Sequence, residues 1–91
     1  MPHIHFSTAH DLGLSPAKKR VESVAQQLKS RLGVEYHWEG NELRFSRTGA
    51  SGSILVEDKL ATVDVELGMM LTPFKGEVER QIQTYMQQSL Q

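Results

Sequence analysis

The sequence predicts an α+β domain: a five-stranded antiparallel sheet with two helices packed on one face, in the order β-α-β-β-β-β-α. Three observations predict it. Five segments alternate apolar and polar residues at the period of two that a half-buried strand requires. Two segments carry apolar residues at helical spacing behind a proline, and hairpin-length connections join the last four strands. A one-residue slip would turn a strand's apolar set to water, so the agreement of five strands on one buried face supports the whole sheet.

Residues 2–10 form the first strand, with Ile4, Phe6 and Thr8 on one side and His3, His5 and Ser7 on the other. Ser15 and Pro16 predict a helix start, the serine oxygen taking an orphan amide and the proline filling the first helical position. Val21, Val24, Ala25, Leu28 and Leu32 then share one helical face, and Gly33 ends the helix. Val34, Tyr36 and Trp38 alternate with Glu35, His37 and Glu39. The chain turns at Gly40-Asn41 into Leu43 and Phe45, which alternate with Glu42, Arg44 and Ser46. Gly49 and Gly52 are expected to bracket the next turn, after which Ile54 and Val56 begin a strand that reverses near Asp58-Lys59. The last strand is predicted to be the longest, with Ala61, Val63, Val65, Leu67, Met69 and Leu71 facing inward. Thr72-Pro73 repeats the cap-and-proline device. Phe74, Val78, Ile82, Tyr85, Met86 and Leu90 follow at helical spacing and predict a terminal helix of about 28 Å at ~1.5 Å per residue.

At 91 residues the chain fits one domain over residues 1–91, with a single thin core. There are no cysteines, which excludes disulfides and thiolate metal sites. The net charge of -1, with both signs interspersed, argues against nucleic acid as a partner. The N-terminus lacks the charged region and apolar run of a secretion signal, and no segment is long enough to span a bilayer, so a cytoplasmic location is expected.

The outer face of the sheet is predicted to collect His3, His5, Glu35, His37, Glu39, Glu42, Arg44, Ser53, Glu57, Asp64 and Glu66. His3 and His5 share a strand side, as two imidazole ligands would, with His37, Glu39, Asp64 or Glu66 to complete a set. A solvated polar face accounts for them better, and no metal is assigned. Asp64 and Glu66 lie two apart on a strand, roughly 7 Å, but no pocket surrounds them to tune a general acid. The serines lack a nucleophile's base, so no catalytic residue and no cofactor is assigned, and the protein is expected not to be an enzyme.

Three weaker features are candidates for binding. Lys18, Lys19 and Arg20 put positive charge on the first helical turn, against the macrodipole, where an anion or acidic partner would suit them. Tyr36, Trp38, Phe74 and Met86 are candidates to line a groove beneath the terminal helix for an apolar or hydroxyacyl ligand. Leu55 and Met70 break the apolar pattern toward the surface, Met69, Met70 and Leu71 form an apolar run at the end of the last strand, and Leu55, Met69 and Met70 together suggest an interface, including a homo-oligomeric one.

Several segments, in this order and spacing, resemble those of the polyhydroxyalkanoic acid system proteins. They are Leu12-Gly13-Leu14, Gly33-Val34-Glu35-Tyr36 with Trp38 and Gly40, Gly49-Ala50-Ser51-Gly52 before Ile54 and Val56, and Leu71-Thr72-Pro73-Phe74-Lys75-Gly76. The resemblance covers almost the whole chain. It implies a small bacterial cytoplasmic protein linked to polyhydroxyalkanoate granules, whose partners would be the granule surface or granule proteins. It implies no enzyme activity and no catalytic residues. The sheet with its long terminal helix also resembles a reduced helix-grip, or START-like, fold, whose larger members bind apolar ligands.

Overall fold

The computed structural model describes residues 3–90. Its elements run β1 (His3–Ala9), α1 (Leu14–Leu32), β2 (Glu35–Glu39), β3 (Glu42–Arg47), β4 (Ala50–Val56), β5 (Leu60–Leu67), a 3₁₀ segment (Met69–Phe74) and α2 (Lys75–Leu90). The five strands form one antiparallel sheet in the spatial order β1-β5-β4-β3-β2, so the expected α+β architecture and element order are present. Pro2, placed by the alternation in the first strand, lies outside the described residues.

Both helices cover the same face. α1 lies against β2, β3 and β4, α2 lies against β1, and the two helices touch each other. Between the layers, Ile54 pairs across the sheet with Leu43 and Val63. This row meets Val21, Val24 and Leu28 of α1 and Ile82 and Met86 of α2, all fully or almost fully buried. Each such aliphatic side chain contributes about 1.5–3 kcal/mol by leaving water.

Four local expectations are corrected. First, α1 begins at Leu14 with Gly13 as its cap, so Ser15 is not the capping residue. Gly13 has φ 82, a conformation open to glycine because it lacks a Cβ, and its carbonyl accepts the Ala17 amide at 3.1 Å. Pro16 still lies in the first turn, where a missing N–H loses no helical bond. The other end is as expected, with the Gly33 amide on the Lys29 carbonyl at 3.1 Å.

Second, Gly52 lies inside β4 rather than in the preceding turn, opposite Phe45 on one side and Val65 on the other. Third, β5 ends at Leu67, so Met69 and Leu71 are not strand residues. Ala50 of β4 pairs with Leu67, and the Gly68 amide still donates to the Gly49 carbonyl at 2.7 Å before the chain turns away. The chain instead closes a 3₁₀ turn, with the Leu71 amide on the Gly68 carbonyl at 3.0 Å. Fourth, Thr72-Pro73 belongs to this turn and α2 starts later, at Lys75; the Thr72 hydroxyl donates to the Gly68 carbonyl at 3.3 Å.

His10 ties the start of α1 to the β4–β5 turn. Its ring is buried, with Nε2 donating to the Glu57 carbonyl at 3.0 Å and Nδ1 accepting the Leu12 amide at 3.2 Å, which defines the neutral tautomer. Its own amide donates to the Lys59 carbonyl at 3.0 Å. Replacing His10 with alanine unpairs the Leu12 amide and the Glu57 carbonyl and is expected to cost about 2 kcal/mol in urea denaturation. A loss below about 0.5 kcal/mol, the scale of an ordinary surface substitution, overturns this role.

Candidate functional site

The register arranges the outer face of the sheet in rows. His3, Glu66, Ser51, Ser46 and Glu35 form one row, and His5, Asp64, Ser53, Arg44 and His37 the next. Small serines on the central strands therefore floor a trough of about 560 Å³, walled by His3, Asp64 and Glu66 on one side and by Arg44 and His37 on the other. His5 Nδ1 lies 2.6 Å and His3 Nε2 lies 3.2 Å from the same Asp64 oxygen. The hydrogen bond from His5 outweighs the opposing effect of burial and, with the charges of the two histidines, holds the Asp64 carboxyl below its usual range. Across the trough Glu39 meets Arg44 at 2.7 Å and His37 at 3.4 Å, and Arg44 also meets Glu42 at 3.0 Å. These pairs stand in water, where each contributes about 0–1 kcal/mol. Among the described residues, no group of three or more such side chains is arranged to hold a metal ion.

The basic start of α1 is partly spent on the protein itself. Lys18 Nζ donates to the Gly40 carbonyl at 3.0 Å and sits 5.0 Å from the Trp38 ring centre, and Arg20 donates to the Ser89 carbonyl at 3.2 Å near the end of α2. Lys19 is exposed on the same turn. Two of the three cations thus satisfy carbonyls at a hairpin turn and at a helix end, which accounts for their place on a helix start that disfavours them.

Tyr36, Trp38, Phe74 and Met86 do not share one cavity. Tyr36 and Trp38 stand on edge strand β2 beneath α1, where the Tyr36 hydroxyl donates to Glu22 at 2.5 Å and the Trp38 indole N–H donates to its other oxygen at 2.8 Å. Met86 is fully buried in the core. Phe74 is 51% exposed and lines an apolar groove of about 240 Å³. The groove runs between α1, the strand ends and α2; Leu28, Phe45, Leu67, Leu71 and Ile82 are among its walls. Arg47, Glu77 and Gln81 are the polar side chains on it. No sequence signal marked them, because each reads as a solvated position until the rotation of α2 over the sheet is known.

Leu55, Met69 and Met70 are all surface residues, 41%, 86% and 87% exposed. Leu55 stands on the outer sheet face between Thr62 and Glu42, whereas Met69 and Met70 are on the 3₁₀ segment with Leu71 and Phe74, which reach the groove. One corner of the molecule therefore carries three large exposed apolar side chains beside an apolar cleft.

A family model described as "Putative polyhydroxyalkanoic acid system protein" matches residues 4–90, from the first strand to the end of α2. The chain belongs to this family. No curated protein and no solved structure gives a match. Membership links the chain to polyhydroxyalkanoate systems, and the match spans the apolar corner and all of the trough's lining but His3. No helix among the described residues is long and apolar enough to cross a membrane.

Proposed function

We propose that this protein is a non-enzymatic accessory factor of polyhydroxyalkanoate granules, working in the cytoplasm through contacts with the granule surface or with granule proteins. The observation that carries the reading is the apolar corner formed by Met69, Met70 and Phe74, taken together with the family link to the polyester. Large unbranched methionines at a turn adapt to an irregular apolar surface and lose little by leaving water. The charged outer face, on the other side of the sheet from the helices, stays available to protein partners.

The test is co-sedimentation of the purified protein with polyester particles. Burying a methionine side chain contributes about 1.5 kcal/mol or more, so the double variant Met69→Ser, Met70→Ser should weaken adsorption by roughly a hundredfold. Its unfolding free energy should stay within about 0.5 kcal/mol of the parent, because both side chains are exposed. A parent protein that stays in the supernatant, and that captures no granule protein in a pull-down, ends this reading.

A further inference from the structure

We infer that the groove between the 3₁₀ segment, α2 and the sheet is a binding site for a single neutral β-hydroxyacyl ester chain, the chemistry of a polyhydroxyalkanoate chain end. The inference rests on the family's link to the polyester and adds a ligand site to it. Four features of the groove select this occupant.

Its lining is mainly aliphatic and aromatic, with Leu28, Phe45, Val65, Leu67 and Ile82 among it and three polar side chains beside them, which suits an alkyl chain better than a sugar or nucleotide. Its volume of about 240 Å³ lies just under the ~300–1,000 Å³ of sites for drug-sized ligands, the scale of one short chain and not of a folded peptide. Arg47 lies on the groove with one N–H spent on the Leu32 carbonyl at 2.7 Å, which leaves guanidinium donors for an ester carbonyl. Glu77 and Gln81 accompany it, so the polar groups present carry one positive charge, one negative charge and one amide.

That balance separates an ester from a free acid. A fatty carboxylate gains from Arg47 but is repelled by Glu77. A hydroxyl-terminated ester has a carbonyl oxygen whose two lone pairs can accept from Arg47 and Gln81 and an O–H to donate to Glu77, so every polar group is matched. Phe74 and Leu71 line the groove and belong to the same turn as Met69 and Met70, which makes the cleft continuous with the surface proposed to meet the polyester.

The test titrates the full chain, followed by calorimetry and by amide NMR shifts, with methyl esters of β-hydroxybutanoic, β-hydroxyhexanoic and β-hydroxyoctanoic acid and with octanoate. The esters are expected to bind, more tightly as the chain fills the groove, and to shift amides near Ala50, Leu67 and Ile82, while octanoate binds at least about tenfold more weakly. Ala50→Leu, which places extra carbons into the groove, should reduce ester binding at least about tenfold while adsorption to polyester particles persists. Met69→Ser, Met70→Ser should do the reverse, so failure of the site and failure of the granule reading are told apart. Should Ala50→Leu unfold the protein, Val78→Leu on the opposite wall takes its place, with a thermal melt to confirm folding. Esters that cause no shift at groove residues, or that bind a folded filled-groove variant as well as the parent, overturn the site. Octanoate binding as tightly as the esters overturns the choice of a neutral ester.

Discussion

Gly52→Ala should destabilise the protein by about 2–3 kcal/mol, more than most surface or cap changes and a large share of the ~5–15 kcal/mol that holds an ordinary domain. A Cβ built on Gly52 would lie 2.6 Å from the Asp64 carbonyl oxygen and 2.7 Å from the tip of the Phe45 ring. The first is backbone of the neighbouring strand β5 and cannot swing aside without disturbing the ladder that pairs β4 with β5. The ring of Phe45 lies over Gly52 from the other neighbour, filling the space where a side chain would stand. For a domain of this size the loss corresponds to a Tm lower by about 8–20 °C, measurable in a thermal melt. Phe45→Leu should relieve the ring contact and recover only part of the loss, because the contact with the carbonyl persists. A Gly52→Ala protein within about 0.5 kcal/mol of the parent would show that the strands do not approach as described.

The second large effect is at Glu22. Glu22→Ala is expected to cost about 2–3 kcal/mol, because it removes the acceptor for the Tyr36 hydroxyl and the Trp38 indole N–H, and for Gln26 at 3.2 Å. Those bonds fasten edge strand β2 to α1, so its amides should gain the most hydrogen exchange. Burial pushes the Glu22 carboxyl up, but the donors from Tyr36, Trp38 and Gln26 together outweigh it and hold it below the usual range. Its contribution is therefore complete above an unfolded glutamate's pKa of about 4.3 and is lost as pH falls through the lower folded value. The same bond raises the Tyr36 hydroxyl, with help from burial and the Glu22 charge. That part of the stability is complete below about pH 10 and is lost as pH rises through the raised value. Trp38 is the sole tryptophan, so its fluorescence reports the clamp directly. The gap in stability between parent and Glu22→Ala should be full at neutral pH and much smaller near pH ~2–3. An equal gap at both would mean that the ionised carboxylate is not what holds the strand.

Much of this was legible from periodicity, for a definite reason. Alternation at a period of two is a property of each strand alone, so Ile4, Leu43, Ile54 and Val63 declare their face before any partner is known, and all are buried. Helical spacing does the same for Val21, Val24 and Leu28. The residues of the outer face followed too, since they are the complement of the inward ones, but the trough did not: no pocket was expected around Asp64 and Glu66, and small serines on the central strands open one beside them. Met69 and Leu71 continue the alternation perfectly and still leave the sheet, because the chain turns at Gly68, whose carbonyl accepts the Leu71 amide at 3.0 Å, and a local turn of this kind leaves no mark on the period.

The chain alone determined the order of elements, the buried face of each strand and the family likeness, all of which are local patterns or their sequence order. Tertiary structure decided what those faces meet. It parted Tyr36 and Trp38, on edge strand β2 beneath α1, from Phe74, which stands half-exposed on the 3₁₀ segment at the groove. It drew Glu22 into a clamp, spent Lys18 and Arg20 on distant carbonyls, and left a groove where the two helices and the strand ends fail to close. These depend on the rotation and offset of one layer over the other, which arise from contacts between residues far apart in the chain and leave no period in the sequence to read.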